Sequence, residues 1–206
     1  MATTLGALRR LTRARLGIPL SDNFMQDPVL DDHINLAIET IDAEQRWPWS
    51  EVLDTALITA TAPDIVLDPM WRATRAVFDA ERELNFISPG DLLSWYAPAG
   101  QLPRVWCPLG GVIAIRPITQ SDVTLTHYWY RQPAALRADT DKPDIPDQFA
   151  GAIVAKAAEL LAMREGAGAD STRHNSEYSD WLTRMRRDVR RSTTPTQTRV
   201  RPGSWI

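Results

Sequence analysis

Residues 123–130 read Val-Thr-Leu-Thr-His-Tyr-Trp-Tyr, and two sets of side chains alternate along the whole stretch. One set is Val, Leu, His and Trp, and the other consists of Thr and Tyr. A period of two places successive side chains on opposite faces of a β-strand. Because β-branched and aromatic residues also favour strands, the stretch predicts a β-strand in the second half of the chain.

Shorter runs of β-branched and aromatic residues precede this strand from about residue 54 onward. Turn residues separate the runs, notably Pro89-Gly90 and Gly110-Gly111. Short strands between such turns indicate a small antiparallel sheet or barrel over residues 54–132. Residues 89–96 are expected to form a single helical turn. The other predicted strands are residues 55–61, 71–78, 84–87, 103–107 and 112–116.

Two helices are predicted before the strands. The first covers residues 4–16, with Thr4 as its cap and Gly17 as its end. The second begins with Asp27 as N-cap and Pro28 at the first helical position. It should end near Arg46, because a proline follows two residues later. Apolar residues repeat along it at helical spacing, at Leu30, Ile34, Ile38 and Ile41.

Two further helices are predicted after the strands. Residues 149–163 are rich in alanine and carry charge only at Lys156 and Glu159, a pattern typical of a buried central helix. Gly166 should interrupt it, and a last helix should cover residues 171–191. The stripe of this last helix is Tyr178, Trp181 or Leu182, Met185 and Val189.

The predicted fold class is therefore α+β, with helices from both chain ends and strands from the middle. Residues 1–50 and 145–191 should form an α-helical bundle, and residues 54–132 an inserted β subdomain. Residues 192–206 contain two prolines and no periodic apolar pattern, so we expect an extended C-terminal arm that cannot build a core alone.

Charge is distributed unevenly along the 206 residues. The net charge is −3, and 21 of the 23 basic residues are arginine. Residues 1–17 hold four arginines and no acid, whereas residues 182–206 hold seven arginines and one aspartate. The middle of the chain is therefore strongly acidic, and basic ends of this kind are expected to meet an acidic partner.

Residue patterns for catalysis or metal binding are not found. The three histidines are scattered and are expected to be solvated or partly buried, and the single Cys107 to be a buried thiol. Asp139, Asp141 and Asp144 lack the central glycine and the closing glutamate of a calcium loop, which favours a turn-rich connector. We therefore expect no enzyme activity, cofactor or metal. No apolar run approaches the roughly 20 residues of a membrane span, so no membrane association is expected.

Four segments together resemble the head–tail adaptor proteins of tailed bacteriophages, also called connector or head-completion proteins, of the longer type with a β insertion. They are residues 27–49 with Arg-Trp-Pro-Trp near the end, residues 112–117 (Val-Ile-Ala-Ile-Arg-Pro), the tyrosine-rich residues 125–133, and residues 139–146 before the alanine-rich helix. The segments lie in the same order as in that family, and the resemblance covers roughly residues 5–190.

The resemblance implies a structural virion protein, made in the cytoplasm of the host bacterium and located at the head–tail interface. It implies a homo-oligomeric ring, usually of twelve copies, that docks under the portal protein, extends the DNA channel and offers a surface to the next neck or tail-completion protein. Contact with genomic DNA would be non-specific. The arm would bind the portal through Arg199, Arg201, Trp205 and Ile206.

Some acidic residues are expected to face the DNA channel, because a wall that attracts phosphates would hold the DNA in place. The candidates are Asp31, Asp32, Glu39, Asp42 and Glu44, with a plain solvated helix face as the alternative. Trp205 likewise has two interpretations, an exposed residue without a role or an anchor in a partner's pocket.

Three alternative functions are compatible with parts of the pattern. The protein could be another neck or tail-completion protein. In a different class, its arginine-rich C-terminus could make it a nucleic-acid-binding module. A lytic enzyme would need a pair of carboxylates in a cleft, one with a raised pKa, whereas the acids here are predicted in turns and on an exposed helix face.

Overall fold

The computed structural model describes residues 3–19, 26–80, 82–95 and 101–193. The chain forms two compact units: residues 1–41 with 136–206, called the helical unit below, and residues 42–135, called the β unit.

The predicted α+β class is confirmed. The helices are α1 (Leu5–Leu16), α2 (Asp27–Glu44), α3 (Pro89–Ser94), α4 (Ala150–Arg164) and α5 (Gly168–Thr193). The strands are β1 (Glu51–Ile58), β2 (Ile65–Val66), β3 (Trp71–Asp79), β4 (Arg82–Glu83), β5 (Asn85–Phe86), β6 (Val105–Leu109), β7 (Val112–Arg116) and β8 (Val123–Arg131).

Helix α1 begins and ends as predicted. The Thr4 hydroxyl accepts a hydrogen bond from the Ala7 N–H at 3.3 Å, which satisfies one of the free donors of the first turn. Gly17 adopts a φ of 69°, and its N–H donates to the Ala14 carbonyl. A glycine is favoured there because the left-handed conformation places no Cβ in conflict with the backbone.

Helix α2 differs slightly from the prediction at both ends. The Gln26 carbonyl accepts from the N–H of Val29 and Leu30, so Asp27 is the first helical residue rather than the cap. The helix ends at Glu44, and a short 3₁₀ turn, Pro48–Ser50, follows. Its predicted apolar stripe is confirmed, because Leu30, Ile34, Ile38 and Ile41 are all buried.

Helices α4 and α5 form the centre and one side of the helical unit. Nine of the fifteen residues of α4 are buried, which confirms the predicted central helix. A 3₁₀ turn, Asp147–Phe149, precedes it, and Gly166 with a φ of 72° follows it. Helix α5 begins three residues earlier than predicted and continues to Thr193, so the first two residues of the predicted arm are helical. Leu182, not the half-buried Trp181, completes its buried stripe with Tyr178 and Met185.

The connector before α4 is tied to α1 and α2 by backbone groups. The N–H groups of Leu5 and Gly6 donate to the carbonyls of Asp141 and Asp139 at 2.9 and 3.1 Å. The Asn35 side chain both donates to the Leu136 carbonyl and accepts from its N–H. These bonds join segments more than 100 residues apart into one unit.

The described residues of the β unit form two four-stranded sheets instead of one. Their orders are β1-β8-β3-β4 and β2-β7-β6-β5, and one pair, β5 with β6, is parallel. Strand β1 begins at Glu51, four residues before the predicted start, whereas β7 and β8 lie where they were predicted. One buried cluster contains side chains from both sheets, including Ile58, Val77, Leu125, Trp106 and Ile113. The sheets therefore share one core.

Candidate interaction surfaces

Strand β1 has an open edge and an exposed apolar face. Among the described residues it pairs with β8 alone, in antiparallel register from Glu51 opposite Tyr130 to Ile58 opposite Val123. Leu53 and Leu57 point away from the core and are 54% and 61% exposed. Long edge strands with apolar faces readily pair with other chains, and proteins usually protect them with charges or proline. This edge, called the β1 edge below, is therefore a candidate protein–protein surface.

The sheet face beside the β1 edge carries few charges. Leu53 and Leu57 lie opposite Tyr128 and Thr124 of β8. Tyr128 in turn contacts Phe78 of β3 edge to face, with ring centroids 5.5 Å apart. A face of this composition loses little hydration free energy when another surface covers it. Sequence reasoning missed this surface because the predicted strand began after Leu53.

The five acids predicted to face a channel do not share one environment. Asp31 accepts two hydrogen bonds from Arg9, at 2.5 and 2.7 Å, and is half-buried. Asp42 is only 6% exposed, and its carboxylate and carbonyl both bind Arg72. The expectation of an exposed acidic helix face is therefore wrong for Asp42 and incomplete for Asp31. The candidates whose side chains are exposed are Asp32, Glu39 and Glu44.

The C-terminal half of α5 is strongly basic. Four arginines and Thr183 line a shallow hollow of about 390 Å³ on this helix. The arginines are Arg186, Arg187, Arg190 and Arg191. Because cations near the C-terminal end of a helix interact favourably with its dipole, the cluster is compatible with a stable helix. The predicted arm residues Arg199, Arg201, Trp205 and Ile206 lie outside the described residues.

A groove of about 620 Å³ lies between α1, α4 and α5 in the helical unit. Leu11, Ala14, Val154 and the indole of Trp181 form its apolar part. Its charged part consists of Arg15, Arg173 and Glu177. The sequence analysis did not predict this groove. Two features of the sequence pointed to it: the arginines of α1, and the presence of both Trp181 and Leu182 as candidates for the buried stripe of α5. We call it the α1/α5 groove.

The charges of the α1/α5 groove are partly compensated. Arg15 forms an ion pair with Glu177, and His174 lies 3.6 Å from the same carboxylate. Burial acts to raise the pKa of Glu177, but the hydrogen bonds and charges of Arg15 and His174 outweigh it and hold the pKa below its usual value. Arg173 pairs with Asp170 at 3.3 Å, and both side chains are exposed. Both arginines of the groove are therefore paired with an acid.

A chain of polar contacts lies inside the β unit. The Thr74 hydroxyl accepts from the Trp71 indole at 3.1 Å and lies 3.0 Å from Nε2 of His127. The Trp129 indole donates to Asp54 at 2.8 Å. His127 is only 4% exposed, and burial lowers its pKa, partly offset by the charge of Asp54. The expectation of a solvated or partly buried histidine is wrong here, and wrong again for His174, which is also buried.

The single cysteine and the potential metal ligands lie where they form no reactive or metal-binding site among the described residues. Cys107 is fully buried beside Leu92 and Ala114, as predicted, and burial raises the pKa of its thiol. Within the described ranges, histidine, cysteine and acidic residues form no group of three or more that could hold a metal ion. Nor does this part of the chain contain a helix that is long and apolar enough to cross a membrane.

Comparison with known protein families agrees with the resemblance seen in the sequence. The family model described as SU10 adaptor protein matches residues 3–202. The match spans nearly the whole chain, so the protein belongs to the SU10 adaptor family, a family of phage adaptor proteins. Membership implies a structural component of the virion that contacts other head or tail proteins, rather than an enzyme. A search of curated proteins gives no match.

Proposed function

We propose that the protein is a head–tail adaptor of the longer type with a β insertion, which assembles into a ring in the phage neck. The ring, usually of twelve copies, docks under the portal protein and extends the DNA channel. It offers the surface to which the next neck or tail-completion protein attaches. The subunits are made in the host cytoplasm and function in the virion. Family membership over residues 3–202 is the observation that supports this proposal.

The β1 edge supports contact between copies. A ring closes through heterologous contacts, in which two different surfaces of one protein meet around a rotation axis. Two β1 edges that paired with each other would instead give a two-fold dimer that stops growing. We therefore assign the β1 edge to one side of the contact, and a different surface of the neighbouring copy covers Leu53 and Leu57.

The C-terminal arm is assigned to the portal. Arg199 and Arg201 would pair with acids on the portal, and Trp205 with Ile206 would fill an apolar pocket there. Tryptophan is enriched among the residues that dominate interface energetics, because it buries a large apolar area at low entropic cost. The basic end of α5 immediately before the arm adds positive charge to the same region.

The exposed acids of α2 are assigned to the channel. Asp32, Glu39 and Glu44 would repel the phosphates of the passing DNA, which keeps the contact non-specific and weak. Asp31 and Asp42 are left out of this proposal because each is held by an arginine of its own chain.

Cryo-electron microscopy of virions tests the proposal. We expect a closed ring of this protein between the portal and the next neck component. Replacing Leu53 and Leu57 together by lysine should prevent ring formation, whereas Leu102→Lys, at a similarly exposed leucine of a loop, should not. Location in the tail tip, or a form that never closes into a ring, would contradict the proposal. A ring lower in the neck would instead identify another neck or tail-completion protein.

A second candidate function, nucleic-acid binding, is favoured by the arginine cluster of α5. Each phosphate that a protein neutralises releases counterions, so affinity for double-stranded DNA should fall steeply as salt rises. Replacing Arg187, Arg190 and Arg191 by glutamine should reduce that salt dependence by about three phosphate contacts, a change of roughly 2.7 in the slope of log affinity against log salt. Absence of measurable DNA binding at low salt would exclude this function.

A further inference from the structure

The β1 edge forms one side of the proposed ring contact, and the surface that covers it has definite requirements. Among the described residues, β1 is the outermost strand of its sheet and is eight residues long. A covering surface must offer backbone groups to the free side of β1 and side chains that pack beside the exposed Leu53 and Leu57. An extended segment meets both requirements when it adds as a further strand at the edge of a sheet.

A six-residue segment of the C-terminal arm has the sequence pattern of such a strand. Residues 196–201 read Thr-Gln-Thr-Arg-Val-Arg and lie between Pro195 and Pro202. Their β-branched residues alternate with polar or basic residues, so each set lies on one face of an extended chain. The segment has too little apolar surface for a core of its own, but six residues are a common length for a strand.

The neighbourhood of the β1 edge complements the basic face of this segment. A cleft of about 380 Å³ lies beside β1, lined by residues of β1, β2 and β8 and by two acids, Asp54 and Asp68. Asp54 accepts a hydrogen bond from the Trp129 indole, and Asp68 accepts one from the Met70 N–H. Neither acid forms an ion pair with another described residue. Because a carboxylate accepts several hydrogen bonds at once, both acids can still bind an arginine.

We propose that residues 196–201 of one copy add as a strand to the β1 edge of the neighbouring copy in the ring. The β-branched side chains of this strand lie beside the two exposed leucines, and Arg199 and Arg201 on its other face enter the cleft with the two acids. Six residues cover about 20 Å of an edge, and the eight residues of β1 offer about 27 Å. The segment therefore fits within the length of the edge.

This inference rests on the proposed ring and identifies the second surface of its contact. The arm follows α5 of the helical unit, whereas the edge belongs to the β unit, so two different surfaces meet, as a heterologous contact requires. Each copy donates one strand and receives one. Arg199 and Arg201 cannot pair with acids of the portal while they occupy the cleft. Contact with the portal then depends on Trp205 and Ile206, which follow Pro202 and lie outside the added strand.

Disulfide cross-linking in portal-containing heads tests the proposal. Thr55→Cys places one thiol on the exposed face of β1. The second thiol is placed at one of the three β-branched positions of the segment, which allows for the register: Thr196→Cys, Thr198→Cys or Val200→Cys. The matched control is Gln197→Cys, because adjacent positions of a strand point to opposite faces and both arginines are retained. The native Cys107 is buried and should not react.

We expect a ladder of disulfide-linked multimers from at least one of the three pairs, with about tenfold more product than the control pair gives. Neutralising the cleft by Asp54→Asn with Asp68→Asn should lower this yield by about three- to tenfold, the effect of losing two exposed ion pairs. Glu83→Gln with Asp122→Asn removes the same charge from other exposed positions of the β unit and should leave the yield unchanged.

Equal yields from position 197 and from the β-branched positions, or a disulfide formed within one chain, would overturn the proposal. The absence of any ladder in heads in which electron microscopy shows a closed ring would overturn it as well, while leaving the proposed function intact. Heads that contain the protein but no ring would overturn both, so the two failures are distinguishable.

Discussion

The indole of Trp181 lies directly on the backbone of Gly151, across the contact between α5 and α4. A Cβ placed on residue 151 would lie 2.6 Å from Cε2 of the indole and closer still to Cζ2. No real side chain approaches so closely, so the ring occupies the space that any other residue at position 151 would need. A glycine inside a helix costs roughly 1 kcal/mol relative to alanine, and here the close approach of the two helices offsets that cost.

Gly151→Ala should therefore destabilise the helical unit, although the same substitution stabilises most helices. We expect a loss of about 1–3 kcal/mol in the free energy of unfolding, typical of overpacking a close contact. Chemical denaturation measures it. Gly168→Ala is the control, because nothing lies within 4 Å of the Cβ it would add. Gly151→Ala should also be much less harmful when Trp181 is replaced by alanine, and equal effects in both backgrounds would refute the contact.

Arg9 joins three segments of the helical unit through its guanidinium group. It donates to both carboxylate oxygens of Asp31 on α2 and to Asp139 of the connector at 2.5 Å. Removing it leaves Asp31 half-buried without its cation. Arg9→Met should lower the free energy of unfolding by about 2 kcal/mol, which lies between the losses typical of breaking an exposed and a fully buried ion pair.

Arg9→Lys should recover only part of this loss, because an ammonium group cannot bind both oxygens of Asp31 and reach Asp139 in the same geometry. Arg10→Met, at the exposed neighbouring position, is the control and should change the free energy of unfolding by less than about 0.5 kcal/mol. A similar loss for both methionine variants in urea titration would show that the network adds nothing.

His127 should make the stability of the β unit depend on pH. Burial lowers the pKa of its imidazole below the ordinary value of 6.5, so the unfolded chain binds a proton at higher pH than the folded chain does. The contribution of the neutral His127 to the free energy of unfolding is then fully present above about pH 6.5, and it is lost as the pH falls below that value. Denaturation midpoints between pH 7.5 and 5 measure the effect.

His127→Gln should flatten this dependence while keeping a polar group near Thr74. Asp54→Asn should extend the loss of stability to lower pH, because the Asp54 charge opposes the lowering of the His127 pKa. A wild-type midpoint that does not change across this range would show that the buried histidine is not linked to unfolding.

Sequence periodicity predicted the elements whose apolar residues recur regularly. The stripe of α2 and the alternation in β8 are both local patterns, and both elements were found. Strand β1 was predicted too late, because Glu51 and Asp54 break the alternation and its position follows instead from pairing with β8. The two-residue strands β2 and β4 are too short to give a periodic signal.

The candidate surfaces likewise depend on contacts between residues that are distant in the sequence. Asp42 resembles an exposed helical acid until Arg72, thirty residues later, binds it. The contact between Gly151 and Trp181 likewise joins residues thirty positions apart. Local patterns predict which residues are helical, but they do not show which side chains meet across a unit, so the α1/α5 groove could not be predicted.

Neutralising the exposed acids of α2 should slow the passage of DNA through the assembled neck. We expect Asp32→Asn, Glu39→Gln and Glu44→Gln together to slow or reduce DNA ejection, because the channel wall then repels phosphates less. Single-particle ejection assays measure the rate. A control triple, Glu83→Gln, Glu165→Gln and Asp180→Asn, removes the same charge from other exposed positions. Equal ejection in both triples, or an electropositive lumen in the assembled ring, would contradict the channel assignment.

The arm should be required for joining the portal rather than for folding of the chain. Deleting residues 194–206 removes no residue of the described helices or strands, so we expect a folded domain that no longer completes portal-containing heads. Ordering such an arm on a partner costs roughly 2–5 kcal/mol, so one strong anchor must contribute a large part of the compensation. Trp205→Ala should therefore reduce head completion, though less than the deletion does, whereas Trp95→Ala, at an exposed tryptophan of the β unit, should not. Counting completed heads by electron microscopy measures the defect, and a normal yield from the deleted protein would show that the arm is dispensable.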